Sequence, residues 1–156
     1  MKREALPPAQ AISVASAPRA TPGAPPADGA APAGAVTPAY APAGRHVLAD
    51  LNGIAAEKLS NCAALESLLR DAAEAAGARV LFSHFHGFGE GLGVTGVVLL
   101  AESHITIHTW PECGFAAADI FMCGSAQPEL ALALIKKALQ PGSAHVHSAR
   151  RGPPVF

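Results

Sequence analysis

The chain has 156 residues, of which 50% are hydrophobic, and its formal net charge at pH 7 is −1. This near-neutral balance, with no basic stripe carrying interleaved aromatic residues, argues against a nucleic-acid partner. The longest apolar run, residues 96–101, has about a third of the length that a membrane span needs. The first ten residues, MKREALPPAQ, lack the unbroken apolar segment of a signal peptide. We therefore expect a soluble cytoplasmic protein with neither nucleic-acid nor membrane partners.

Proline and alanine are concentrated at the start of the chain. Residues 1–43 hold nine of the 14 prolines and fifteen alanines, and no apolar run there has the period of a strand or a helix. Such side chains bury too little apolar surface to offset the entropy lost on ordering the backbone. The sequence therefore predicts a disordered Ala/Pro-rich tail over residues 1–43 and a folded domain over residues 44–156.

The apolar pattern of the folded part predicts six strands and two helices in the order β-α-β-β-β-β-α-β. The strands are expected over residues 44–54, 78–86, 94–101, 104–110, 114–123 and 144–149. This order gives an α+β fold, a two-layer sandwich in which two helices cover one face of a mostly antiparallel sheet. The other face must then be polar or be buried by a second subunit.

Both helices have start and stop signals. The first begins after a cap at Ser60 or Asn61 and stops at Gly77. The second begins at Pro128 and ends at a Pro-Gly pair. The apolar stripe expected to face the sheet in this second helix consists of Leu130, Leu134 and Ala138.

Residues 100–124 concentrate the reactive side chains. Glu102 and Ser103 separate two strands by the spacing of a tight hairpin, and an ordinary turn would account for them. His104 and His108 share one face of a strand, as do residues 84 and 86, and residues 145 and 147. Paired histidines also suit a non-enzymatic metal-binding or sensory module. No carboxylate or thiolate recurs beside these pairs at a common spacing, so the residues alone do not select a metal site.

The sequence ESHITIHTWPE at residues 102–112 closely resembles the prokaryotic S-adenosylmethionine decarboxylase family. The resemblance extends to GFAA at residues 114–117, DIF at 119–121 and CG at 123–124, and upstream to GRH at 44–46, FHxF at 85–88 and VTGVV at 94–98. It implies a proenzyme that cleaves itself between Glu102 and Ser103 and converts Ser103 into a pyruvoyl group. This self-derived cofactor forms a Schiff base with the substrate amine and accepts the electrons left when carbon dioxide departs.

The same resemblance assigns roles to five further residues. Cys123 donates the proton that replaces the lost carboxylate, and His108 is the base during processing. Thr95 stands where the family usually has serine and supplies a hydroxyl for processing. Phe88 stacks on adenine, and Glu112 holds the ribose hydroxyls. The resemblance implies no metal ion.

The implied activity is decarboxylation of S-adenosylmethionine, which yields the aminopropyl donor for spermidine synthesis. The loop over residues 87–93, GFGEGLG, departs from the family pattern, because it is one residue longer, is richer in glycine and adds Glu90. An extra carboxylate near the substrate suits an amine side chain. A pyruvoyl-dependent ornithine or arginine decarboxylase is therefore the alternative.

Strand geometry predicts that the site is divided between two subunits. Five residues of regular strand place Ser103 and His108 about 17 Å apart and on opposite faces of the sheet. These two side chains therefore cannot meet within one chain. We expect a homodimer that buries the uncovered sheet face, in which Ser103 and Cys123 of one subunit face four residues of the other. The four residues are His108, Thr95, Phe88 and Glu112.

Overall fold

The computed structural model describes residues 43–153, and the predicted tail lies outside these residues except for Ala43. Within this range the chain forms six strands, three α-helices and one 3₁₀ turn. In chain order they are β1 (Gly44–Asn52), α1 (Ala56–Ser60), α2 (Cys62–Ala75), β2 (Val80–Gly87), β3 (Val94–Leu100), β4 (Ser103–Trp110), the 3₁₀ turn (Pro111–Cys113), β5 (Phe115–Cys123), α3 (Pro128–Leu139) and β6 (Ser143–Arg151).

The six strands form one sheet in the order β2-β3-β4-β5-β1-β6, and each described pair of neighbours is antiparallel. α2 and α3 pack against each other and against one face of this sheet. The predicted fold class, an α+β two-layer sandwich with two helices on one face, is confirmed. The sequence pattern does not predict α1 or the 3₁₀ turn, because each is too short to show a period. None of the described helices is long and apolar enough to cross a membrane.

The apolar core lies between the sheet and the two long helices. Alternate residues of β1, β3, β4 and β5 are buried on this face of the sheet. Asn61 begins α2 as predicted, because its side chain accepts a hydrogen bond from the Ala64 N–H at 3.0 Å. Gly77 follows the end of α2 with a φ of 84°. The buried stripe of α2 consists of Leu65, Leu69, Ala72 and Ala73.

The predicted buried stripe of α3 is wrong. Leu130 is 38% exposed, Ala138 is exposed as well, and only Leu134 of the predicted set packs against the core. The helix sequence PELALALIKKAL is apolar around much of its circumference, so spacing alone does not select one of its overlapping stripes. Packing against both α2 and the sheet selects the stripe formed by Ala131, Leu132, Ile135 and Leu139.

The face of the sheet that the helices leave uncovered carries all seven histidines of the chain. Cross-strand partners share a face in an antiparallel sheet. Phe82 and Leu99 interrupt this polar surface and are 55% and 45% exposed. Residues 43–153 contain no group of three or more His, Cys, Asp or Glu side chains arranged to hold a metal ion. The seven histidines are His46, His84, His86, His104, His108, His145 and His147.

Candidate active site

The predicted cleavage site lies in the hairpin between β3 and β4. Leu100 pairs with Ser103, so β4 begins one residue earlier than predicted and the turn consists of Ala101 and Glu102. Glu102 is exposed and has a φ of 62°. This left-handed conformation costs a residue with a Cβ about 1–2 kcal/mol. The bond between Glu102 and Ser103 therefore joins a strained turn to a regular strand.

Ser103 and Cys123 are in direct contact. The backbone N–H of Cys123 donates a hydrogen bond to Ser103 Oγ at 3.0 Å. Cys123 is the last residue of β5, which lies beside β4 in the sheet, and its thiol is free and half-buried. The structure thus brings together the two residues that were predicted to form one side of a divided site.

Thr95 and His108 are also in contact. They are cross-strand partners on β3 and β4, and Thr95 Oγ1 lies 2.5 Å from His108 Nδ1. A hydroxyl and an imidazole can each donate or accept, depending on the tautomer of the histidine. His108 is exposed on the uncovered face of the sheet. This pair can therefore exchange a proton with a group that approaches from outside the chain.

A cleft of about 360 Å³ opens beside His108 and contains both residues predicted to bind substrate. Phe88 comes from the loop between β2 and β3, and Glu112 comes from the 3₁₀ turn after β4. The Phe88 side chain is 60% exposed, and its ring meets the His86 ring edge-on with centroids 5.0 Å apart. The other lining residues are Leu92, Gly93, Val94, Thr109 and Trp110.

Ser103 and His108 are not in contact within the chain, because Ser103 contacts Cys123 and His108 contacts Thr95. They lie five residues apart on β4. The alternation of burial along this strand puts Ser103 on the side of the buried Ile105 and Ile107, and His108 on the uncovered face. The predicted cleavage site and the cleft therefore occupy opposite ends of one strand, which agrees with the predicted separation of Ser103 from His108.

A cluster of titratable residues beside the cleavage site was not predicted. The His104 ring lies 6.0 Å from the His46 ring. Burial lowers the pKa of His104, the nearby His46 lowers it further, and Asp119 partly offsets both effects. His46 Nδ1 lies 3.3 Å from the Arg151 guanidinium, which can only donate, so the proton of a neutral His46 sits on Nε2. Strand alternation places both histidines on the uncovered face, but only the strand order brings them together.

Two residues of the cleft were also missed. Trp110 stacks on Phe115 with ring centroids 5.3 Å apart. Thr109 is polar yet only 5% exposed. The available signal was strand alternation, because Thr109 follows Ile105 and Ile107 at two-residue steps and must therefore point to the buried face.

Comparison with known proteins points to one family. Residues 45–152 match the family model described as S-adenosylmethionine decarboxylase. The chain is 44% identical over 110 residues to the S-adenosylmethionine decarboxylase proenzyme of Thermosipho melanesiensis, a match that covers 70% of this chain and 84% of that protein. It is 43% identical over 110 residues to the protein of the same name from Methanococcus aeolicus, with 70% and 93% covered. The crystal structure of the adenosylmethionine decarboxylase from Aquifex aeolicus is similar with a TM-score of 0.66 and 38% identity, covering 72% of this chain and 92% of that chain.

Proposed function

Because the chain belongs to the S-adenosylmethionine decarboxylase family, we propose that it is a self-cleaving, pyruvoyl-dependent decarboxylase of S-adenosylmethionine. Its product is the aminopropyl donor for spermidine synthesis. One observation carries the proposal: Ser103 Oγ is held by the Cys123 N–H directly after the strained Glu102 turn. The candidate nucleophile, a backbone donor from Cys123 and the candidate scissile bond thus lie together at the motif on which the resemblance rests.

Cleavage begins with attack of the Ser103 hydroxyl oxygen on the Glu102 carbonyl carbon. The C–N bond of the peptide breaks, the hydroxyl proton passes to the released nitrogen, and an ester joins the two residues. Loss of the Ser103 α-proton then breaks the Cβ–Oγ bond and releases Glu102 as a carboxylate. The dehydroalanine left at residue 103 takes up water, loses ammonia and becomes the pyruvoyl group.

The surroundings of residue 103 fit a pyruvoyl group. Residue 103 is half-buried at the start of β4, and once its Oγ has left with Glu102 the Cys123 N–H is free to donate to an oxygen of the new group. When present, the group supplies an electron sink for the departure of the substrate carboxylate. The half-buried thiol of Cys123 holds the proton that the substrate carbon then receives.

We assign the processing base and its hydroxyl to the other subunit of a homodimer. His108 and Thr95 act on Ser103 of the partner subunit, because their own Ser103 lies at the far end of β4. The mixture of histidines with the exposed Phe82 and Leu99 suits a face that meets a second subunit. In a two-fold dimer, the start of each β4 can then serve the cleft of its partner.

The cleft supports S-adenosylmethionine as the substrate. Its volume of about 360 Å³ falls within the usual range of small-molecule sites. The exposed ring of Phe88 offers a π-face to adenine and to the neighbouring sulfonium cation. The Glu112 carboxylate accepts hydrogen bonds from ribose hydroxyls. Glu90, on which the ornithine or arginine alternative rests, lies on the same loop but is not among the residues that line this cleft.

We assign the whole activity to residues 44–156 and none of it to the tail. The family match begins at residue 45, and each proposed site residue lies between Phe88 and Cys123. Deletion of residues 1–43 should therefore leave the rate of carbon dioxide release unchanged. A large loss of rate would make the tail part of the site.

Mass spectrometry and carbon dioxide release test the proposal together. The purified full chain should consist of residues 1–102 and a pyruvoyl-capped fragment of residues 103–156, and it should release carbon dioxide from S-adenosylmethionine. An intact chain after prolonged incubation would contradict self-cleavage. Release of carbon dioxide from ornithine or arginine, but not from S-adenosylmethionine, would support the pyruvoyl cofactor and refute S-adenosylmethionine as the substrate.

A further inference from the structure

Thr109 is the only buried polar residue among residues 43–153. Its hydroxyl accepts a hydrogen bond from the Val94 N–H at 2.7 Å and lies 2.7 Å from the Leu59 carbonyl oxygen and 3.3 Å from that of Val94. A hydroxyl has one proton to donate, and Thr109 donates it to the Leu59 carbonyl oxygen, which is the nearer of the two acceptors. Thr109 therefore connects its own strand, β4, with β3 and α1.

These contacts fix the stem of the loop that carries Phe88. Val94 directly follows this loop, and the Phe88 N–H donates to the Gly93 carbonyl at 3.0 Å, which closes the loop. A Cβ on Gly93 would overlap the Thr109 carbonyl oxygen, so the loop backbone lies directly against β4. The loop is thus held at one position relative to the end of β4.

We propose that Thr109 is a positioning residue for substrate binding, a role that rests on the proposed function. Its chain neighbours His108 and Trp110 line the cleft, while its own hydroxyl holds the loop that bears Phe88. Thr109 thus acts on the substrate through Phe88. Without the hydroxyl, the two backbone groups that it pairs would be buried without partners, and the loop stem would shift to expose them.

The test compares Thr109→Val, which keeps the shape of the side chain and removes the hydroxyl, with Thr109→Ser, which keeps the hydroxyl. Ile105→Val, a core substitution on the same strand, is the control for lost packing. Rates are normalised to pyruvoyl content. We expect Thr109→Val to raise KM for S-adenosylmethionine about tenfold while kcat falls less than about threefold. Thr109→Ser and Ile105→Val should both stay within about twofold of the parent chain.

Amide hydrogen exchange gives a second measurement that does not depend on activity. Residues 88–94 should exchange at least about tenfold faster in Thr109→Val than in the parent chain or in Ile105→Val. An unchanged KM in an active Thr109→Val, or loop exchange no faster than in the control, overturns the role of Thr109. If the parent chain releases no carbon dioxide from S-adenosylmethionine, the proposed function fails, and loop exchange alone then decides whether Thr109 holds the loop.

Discussion

The two ends of β4 are built in opposite ways. At its start, Ser103 follows an exposed turn in which Glu102 has a φ of 62°. At its end, the buried hydroxyl of Thr109 joins three elements, and Trp110 stacks on Phe115. The bond that we propose is cleaved lies at the exposed turn, and the proposed substrate cleft lies at the end that these buried contacts hold. One strand therefore separates a reactive end from a rigid end, and substitutions at either end should have different consequences.

The largest effect is expected from Ser103→Ala at the reactive end. The substitution removes the proposed nucleophile and the proposed source of the pyruvoyl group, so the chain should stay uncut and release no carbon dioxide from S-adenosylmethionine. The fold should survive, because the lost hydrogen bond to the Cys123 N–H contributes about 1 kcal/mol. Mass spectrometry and circular dichroism check the two expectations. Carbon dioxide release by the uncut chain would refute the pyruvoyl chemistry.

Cys123→Ala should separate cleavage from turnover. Cleavage should still occur, because the hydrogen bond to Ser103 Oγ comes from the backbone N–H, which alanine keeps. Decarboxylation should fall about 10²- to 10⁴-fold, the usual contribution of a general acid. Cys62→Ala is the matched control, since Cys62 is a half-buried free thiol on α2 and should not affect turnover. Full turnover in Cys123→Ala would assign the proton to another group.

The features predicted from the sequence are those that follow from local patterns, which are helix caps such as Asn61 and two-residue alternation along strands. Alternation fixes the face of each strand residue, which is why the separation of Ser103 from His108 and the common face of His104 and His108 were predictable. The α3 stripe was not predictable in the same way, because a helix that is apolar around much of its circumference has several stripes of equal quality. Its orientation depends on the packing of α2, which no local pattern contains.

In the candidate site, too, some features follow from local sequence and others only from long-range packing. The sequence motifs that resemble the family include Phe88, Glu112 and His108. In the structure all three residues line one cleft. The neighbourhood of His46 and Arg151 depends instead on strand order, because β1 lies between β5 and β6 although these strands are far apart in the chain. Strand order in a sheet is set by long-range pairing, so local sequence does not reveal it.

Glu102→Gly tests whether strain in the turn promotes cleavage. Glycine adopts a φ of 62° without the steric cost that a Cβ adds, so the uncut chain should become more stable and first-order cleavage should slow about fivefold. Gln140 has a φ of 54° at the end of α3, away from the hairpin, so Gln140→Gly relieves similar strain as the control and should leave cleavage unchanged. The rate is read from the loss of intact chain on gels after synthesis. Cleavage of Glu102→Gly at the parent rate would show that the strain is not used.

Co-expression of Ser103→Ala and His108→Ala chains tests whether the two ends of β4 serve different sites. Each variant alone should be inactive, but a mixed dimer has one site that combines Ser103 of one chain with His108 of the other. Random pairing makes half of the dimers mixed with one of two sites intact, so about a quarter of the parent activity should appear. Only the His108→Ala chain should then be cut, which mass spectrometry can verify because the chains differ in mass. If the mixture dimerises yet neither chain is cut, Ser103 and His108 must meet within one subunit, and the separation along β4 would have to be bridged by a rearrangement of the chain.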